Sequence, residues 1–332
     1  MKDYNAFFAP FQIYGVPFFQ ENHLMERLPR HIREALPSLE FFGRRTPGAR
    51  LAFRTDSPRF ELSISFRSIG PDVGMSIYAC QSADVFVGGK YLGLATPPKT
   101  YDVPRCEGRF EKSSEMEDVF IWLPRNEIIE SITVSVEDDA VIEPPSPYRH
   151  TVPVVFYGSS ITEGAHPSKI ANCYNSILSR WLDFDFINLG FSGAAKGELA
   201  MADFINTLPM SVFVMDYDYN APSPEHLSAT HEPFYNRIRE AHPDLPILIL
   251  TNPNSDYRDS PARRDVIRAT YDHAVARGDQ NVWFIDGALF YGDCDRDMCS
   301  ADTVHPNDLG MYRMATAIRP YLEEALARSE AK

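Results

Sequence analysis

The sequence predicts an all-β sandwich or jelly roll followed by an α/β domain on a parallel sheet. Three observations lead there. Between Ala49 and Val136, short strand-like runs follow one another with no helical pattern between them. From Val152 onward, apolar β-branched runs alternate with amphipathic stretches. Between the two lies Glu143-Pro144-Pro145-Ser146-Pro147-Tyr148, dense in proline and best read as a linker. A chain of 332 residues also exceeds the size that one core usually serves. The expected division is therefore 1–146 and 147–332.

In the first part, residues 24–36 read as a helix with Arg27, Arg30, His31 and Arg33 on a solvated face. Arg50-Leu51-Ala52-Phe53-Arg54 and the run from Arg59 to Arg67 alternate polar and apolar residues, which buries one face of a strand. Further strands are expected at 75–79, 83–87, 117–123 and 131–136. Turn formers separate them at Gly88-Gly89, Pro97-Pro98 and Pro124-Arg125-Asn126. Close spacing without helices points to antiparallel packing. No catalytic constellation is visible here. By analogy alone, such a domain binds carbohydrate or shapes a cleft, and a purely structural role is an equal alternative.

In the second part, strands are expected at 152–157, 184–189, 211–216, 246–250 and 282–285. Helices are expected at 168–181, 197–207, 224–241, 261–277 and 309–328. That alternation implies a parallel sheet covered on both faces.

Acidic residues number 46 and basic ones 32, for a net charge of −14. The excess is −4 in residues 1–150 and −10 in 151–332. This argues against nucleic acid or an anionic membrane as partner. No apolar run approaches the length of a membrane helix, and the N-terminus does not read as a signal peptide. The odd count of cysteines (Cys80, Cys106, Cys173, Cys294, Cys299) shows no metal-type spacing. Cytoplasmic location is the simplest expectation, with Cys294 and Cys299 read as two idle thiols in a loop. Sandwich edges offer a surface for a homo-oligomer, without a decisive apolar stripe.

The chain is organised around residues 154–164. Val154-Val155-Phe156-Tyr157 reads as a buried strand. It breaks at Gly158 into Ser159-Ser160-Ile161-Thr162-Glu163-Gly164 and then enters a helix pattern. A strand ending in a tight turn puts a hydroxyl at the carboxyl edge of the sheet, where open α/β proteins carry their sites. Free N–H groups at a helix start can face developing negative charge. An ordinary junction with a serine N-cap explains this stretch equally well. Asp302-Thr303-Val304-His305-Pro306-Asn307, just before the last helix, breaks the tie. A serine, a histidine and an aspartate form a nucleophile, base and orienter by geometry, whatever their chain order.

Together these residues resemble the SGNH (GDSL-type) esterase superfamily over about residues 152–327. The family's first block, Gly-Asp-Ser followed by Ile-Thr-x-Gly, is matched by Gly158 to Gly164 with Ser159 in the aspartate's place. The resemblance implies a flavodoxin-like three-layer fold and a Ser160–His305–Asp302 triad. It implies an oxyanion hole from the Ser160 N–H, a glycine N–H of a second block and an asparagine amide of a third. Gly193 fits the second block better than Gly190 does. Asn220 is the only asparagine in Asp216-Tyr217-Asp218-Tyr219-Asn220-Ala221, which departs from the family's Gly-x-Asn-Asp at Asp218 and Ala221. Ser159, Asp218, Tyr219 and His166 are candidates to line the cleft, though Asp218 could equally cap its own loop and His166 reads best as a loop histidine.

The implied activity is hydrolysis of short acyl esters, acetyl groups on a sugar being one candidate substrate, with no metal or organic cofactor. An acyltransferase would use identical residues. A carbohydrate-binding protein on a degenerate esterase fold is a third reading, motivated by Ser159 and the imperfect third block. A phosphodiesterase or nuclease is weaker still.

Overall fold

The computed structural model describes every residue except 71, 73, 99–102, 256, 257, 331 and 332. Two compact units form. The first comprises Met1–Pro29, Gly43–Arg149 and His166–Ala171, and the second Arg30–Phe42, His150–Ala165 and Asn172–Lys332. The sequence pattern suggested one boundary, whereas the units exchange two short segments. Such segments carry no periodicity that shows which core receives them.

Strands of the first unit are β1 (Lys2–Asn5), β2 (Gln12–Tyr14), β3 (Arg50–Thr55), β4 (Arg59–Phe66) and β5 (Ala83–Val87). They continue with β6 (Lys90–Ala95), β7 (Arg105–Glu111), β8 (Glu117–Trp122), β9 (Ile129–Val136) and β10 (Ile142–Glu143). One sheet runs β1-β9-β4-β7, and the other β10-β3-β8-β5-β6 with β2 paired to β3. Their pairings are antiparallel. Alternate residues of both sheets meet in one core. Phe60, Leu62 and Ile64 of β4 and Val134 of β9 join Leu51 and Phe53 of β3 and Val119 and Ile121 of β8. This is a β-sandwich. Full burial of such side chains stabilises by about 1.5–3 kcal/mol each.

Some expectations are corrected here. Residues 75–79 are not a strand; Ile77–Cys80 is a helical turn, started by Ser76, whose hydroxyl accepts from Tyr78 N. Serine offers the backbone that local alternative, and it wins over a weak apolar run. The helix expected at 24–36 shrinks to Arg30–Ala35. Arg27 and Arg33 are buried, not solvated. Arg27 Nε donates to the Arg45 carbonyl at 2.9 Å. Arg33 Nη1 donates to both oxygens of Glu40 at 3.0 Å. β6 and β7 were not expected, because exposed Tyr91 and Leu92 and the central Gly108 blur their alternation.

The second unit is built on β11 (His150–Gly158), β12 (Phe184–Gly190), β13 (Val212–Asp216), β14 (Ile247–Leu250) and β15 (Val282–Ile285). All pairings are parallel, in the order β12-β11-β13-β14-β15. Its strands are buried through: Val154 to Tyr157, Val212 to Met215 and Ile247 to Leu250 are all core. Such near-continuous apolar runs mark a sheet covered on both faces. Helices Tyr174–Leu182 and Asp308–Glu330 pack together, as do Leu199–Ile205 and Ser260–Ala276 against Pro224–Ala241. This is the flavodoxin-like three-layer α/β arrangement. Among the described residues, no helix is long and apolar enough to cross a membrane.

The strand order reverses beside β11. The chain goes first to one side of it (β12), then to the other (β13), and that switch point opens a crevice beyond the strand ends. Register sharpens this. Gly158 pairs with Gly190 on one side and with Asp216 on the other. Three loops therefore leave the sheet at one level. A β-carbon at Gly190 would stand 2.2 Å from the backbone nitrogen of Glu163, so the turn after β11 lies directly on the end of β12.

Gly190→Ala should lower stability by about 1–3 kcal/mol, the usual penalty of overpacking. The expected observation is a lower urea midpoint at unchanged m-value. An unchanged midpoint would mean that the Ser160–Glu163 turn can shift without cost.

Candidate active site

Ser160 opens a four-residue helical turn, Ser160–Glu163, at the end of β11. Ser159 is its N-cap: the buried hydroxyl accepts from Ile161 N at 3.2 Å, and its own N–H donates to the Asp216 carbonyl at 3.0 Å. Ser160 is thus at the first helical position, whose N–H has no intrahelical acceptor.

The Ser160 hydroxyl lies 2.8 Å from His305 Nε2. His305 Nδ1 lies 2.6 Å from Asp302 Oδ2. The carboxylate accepts at Nδ1, which leaves Nε2 as the acceptor for the serine proton; this tautomer is assigned from the hydrogen bonds. The three-residue spacing lets one carboxylate do two jobs. Asp302 Oδ1 accepts from the backbone N–H of Val304 at 2.9 Å and of His305 at 2.7 Å, while Oδ2 takes the ring. Thr303 between them adopts φ +69°, which closes the turn. Burial pushes the Asp302 carboxyl up, but the bonds from the His305 ring and the two N–H groups outweigh it and hold it well below the usual carboxylate range. Asn307 anchors the loop from below. Its amide donates to the Met298 carbonyl at 2.7 Å, and its oxygen accepts from Leu309 N and Gly310 N at the start of the last helix.

The loop after β12 carries Gly193, exposed and at φ +68°. The turn after β13 carries Asn220. They meet: Gly193 N donates to Asn220 Oδ1 at 3.2 Å, while Asn220 Nδ2 donates to the Phe191 carbonyl at 2.7 Å. An amide has two N–H donors, so one proton of Nδ2 remains for a ligand. The Gly193 bond is long and can be shared with an incoming anion. Gly190, the alternative glycine, is instead a strand residue whose N–H bonds to Asn188 Oδ1.

Asp218, a candidate cleft residue by sequence, is buried and accepts from Asn252 N at 3.0 Å and Nδ2 at 2.9 Å. Its burial takes it off an open cleft surface, while the Tyr219 N–H of its own turn also bonds to it. Burial raises its carboxyl to about 6, against the pull of the Asn252 bonds and Arg263. Arg263 donates to the carbonyls of Asp218 and Ala221, which clamps the turn presenting Asn220. Tyr219 is half-buried on that turn. His166 belongs to the first unit, where its ring lies 3.8 Å from the place a β-carbon on Gly74 would take.

Sequence reasoning missed a polar layer beneath these groups: Asp216, Glu163, Ser192, Asn252 and Arg263. Its signal was charged and amide residues inside otherwise apolar strand ends. Asp216 Oδ2 accepts from Thr162 Oγ1 at 2.8 Å and Tyr174 OH at 3.1 Å. Burial, then repulsion from Asp218, raises this carboxyl to about 8. All five cysteines are free, Cys299 buried and Cys294 exposed.

Residues 151–323 match the model of the GDSL-like lipase/acylhydrolase family, just over half of the chain. The chain belongs to the GDSL-like lipase/acylhydrolase family. Solved structures extend the likeness to both units. A candidate GDSL-like lipase from Bacteroides ovatus ATCC 8483 is 23% identical, with 98% of each chain covered and a TM-score of 0.87. A salicylyl-acyltransferase from a tetracycline biosynthetic pathway is 20% identical over 97% of each chain, at 0.80. A family two carbohydrate esterase from Cellvibrio japonicus is 12% identical over 98% of each, at 0.66. A search of curated proteins finds no match. Family and fold are those of an esterase-type hydrolase.

The folded state keeps a proton on Asp216 that the unfolded chain, with a carboxyl near 3.8, gives up. Its contribution to stability is complete below pH 3.8 and is lost as the pH climbs through about 8. Asp216→Asn retains an oxygen acceptor for Thr162 and Tyr174 and cannot ionise. Relative to the natural chain, it should gain on the order of 2 kcal/mol between pH 5 and pH 8. Urea unfolding at both pH values checks this, and parallel stabilities would show that Asp216 titrates as an ordinary carboxylate.

Proposed function

We propose that this protein is a serine esterase that removes short acyl groups, acetyl-like in size, from a carbohydrate alcohol. The observation that carries the chemistry is the continuous relay Ser160–His305–Asp302, at 2.8 Å and 2.6 Å. Likeness in fold to a family two carbohydrate esterase supports the sugar.

The steps follow from the atoms. Ser160 Oγ attacks the ester carbonyl as its proton passes to His305 Nε2. Asp302 holds the ring by Nδ1 and stabilises the imidazolium. The oxyanion is met by the Ser160 N–H, the Gly193 N–H and the second Asn220 amide proton, each donor being worth about 3 kcal/mol of barrier. Collapse breaks the C–O bond to the alcohol, which takes the proton from His305. Water then attacks the acyl-enzyme with His305 again as base, releasing the acid and Ser160. The uncharged Ser159 serves the fold of the turn, so Ser160 is the nucleophile.

A second reading, an acyltransferase with the same residues, is favoured by the likeness to the salicylyl-acyltransferase over both units. The two differ only in what attacks the acyl-enzyme. Product analysis with a candidate alcohol present in water separates them.

Ser160→Ala should reduce p-nitrophenyl acetate turnover by about 10⁴-fold or more, while Ser159→Ala weakens it only severalfold. Loss in the Ser159 variant alone would move the nucleophile by one residue. Asn220→Ala should lower kcat by about 10²–10³-fold with the protein still folded; an unchanged kcat would remove Asn220 from the oxyanion hole.

A further inference from the structure

The relay leaves one buried carboxylate of the nucleophile turn unused. Glu163 is fully buried, three residues after Ser160 on the same helical turn. Its Oε2 accepts the Ser192 N–H at 2.8 Å and also the Ser192 hydroxyl. Ser192 is the residue before Gly193. We propose that Glu163 is a positioning residue for the oxyanion hole: it ties the Gly193 N–H to the turn that carries the nucleophile.

Three observations argue for this beyond the contact itself. A β-carbon at Gly193 would meet nothing within 4 Å, so side-chain packing does not set where that N–H points. Hydrogen bonds hold the loop instead, from Asn220 at Gly193 itself and from the nucleophile turn at its start. Phe191 N donates to the Gly158 carbonyl at 2.9 Å, and the Glu163–Ser192 bonds hold the next residue. Both anchors run back to the stretch that carries Ser160. Second, burying a carboxylate is expensive, and an apolar side chain would fill the space with less penalty. What the carboxyl adds is two hydrogen bonds of fixed direction to one residue. Third, the Glu163 backbone sits against Gly190, so the turn cannot drift along β12. A rigid turn with two functions, nucleophile at its first position and tether at its fourth, keeps the distance between attacking oxygen and donor constant. Misplacement by about 1 Å can cost 10²-fold in rate.

The inference rests on the esterase reading, and its test separates the two. The natural chain, Glu163→Ala and Glu163→Gln are compared for kcat and KM on p-nitrophenyl acetate, for inhibition by methylboronic acid and for urea midpoint. The boronic acid adds to Ser160 as a tetrahedral anion, so its Ki reports the oxyanion hole. Glu163→Ala should lower kcat about 10²-fold with KM changed less than about threefold, and Ki should rise in parallel with the loss in kcat/KM. Glu163→Gln keeps an acceptor for Ser192 and should recover most of both. A folded Glu163→Ala with natural kcat and Ki overturns the proposal, as does one that loses activity while Ki holds. If Glu163→Ala does not fold, Ser192→Ala, which removes one of the two donors to Glu163, decides: a severalfold rise in Ki with a matching loss in kcat/KM supports the tether, and an unchanged Ki and kcat overturn it. A natural chain that is itself inactive on the ester overturns the esterase reading and the tether with it. An active natural chain with indifferent variants overturns the tether alone.

Discussion

The site depends on the pairing of one residue. Gly158 is in register with Gly190 on one flank and Asp216 on the other, so three chain segments quit the sheet side by side. Parallel strands have evenly spaced bonds and a fixed direction. Once β11 lies between β12 and β13, the ends that follow must converge. Ser159 N donates across the gap to the Asp216 carbonyl, and Phe191 N donates to the Gly158 carbonyl. The ladder thus continues as loop-to-loop bonds after the strands have ended. Ser160, Gly193 and Asn220 follow three neighbouring strands, braced by Glu163 and Arg263, while His305 and Asp302 arrive from the loop before the last helix.

That convergence buries polar groups, which is costly unless each finds a partner. The Thr162 carbonyl accepts the amides of Asn175 and Asn188, both at 2.8 Å. Asn188 in turn receives the Gly190 N–H. Asp216 is met by two hydroxyls and Asp218 by two donors of Asn252. A network of mutual hydrogen bonds of this kind rigidifies what it touches. Rigidity is what an oxyanion hole requires, since its donors must point correctly before the charge appears.

Most of the fold was legible in the sequence where a single physical pattern dominated. The buried strands β11 to β15 announce themselves as apolar runs. The helix at Pro224–Ala241 starts with a serine cap and a proline at its first position. The relay was legible because Ser160 and the Asp302–His305 pair are short-range motifs. What stayed hidden was long-range. Nothing near Glu163 says that it reaches Ser192, 29 residues away. Asp218 looked like a cleft residue because its partner, Asn252, follows a different strand. Arg27 and Arg33 looked solvated because a guanidinium's burial depends on carbonyls and carboxylates the local pattern does not show. Short strands such as β6 were lost because alternation fails when both faces are partly exposed.

The balance of charge around Ser160 follows from this network and accounts for Ser159. On the proposed esterase reading, an oxyanion would develop in a unit that also holds Asp302, Glu163, Asp216 and Asp218. A unit negative charge about 6 Å from such an oxygen opposes it by roughly 3 kcal/mol at an effective dielectric near 20. The structure limits that penalty group by group. Burial, then Asp218, raises the Asp216 carboxyl to about 8, which favours its neutral form. Asp218 turns its charge toward Asn252 and Arg263. Glu163 directs one oxygen to the two donors of Ser192. Asp302 faces the Nδ1 side of the His305 ring. Position 159, where the family pattern has an aspartate, would add a further carboxylate at the residue before the nucleophile. A serine there still caps the turn through its hydroxyl. The cap needs an oxygen and not a charge, so Ser159 retains the geometry of the turn, and on the proposed esterase reading it spares a developing oxyanion one carboxylate.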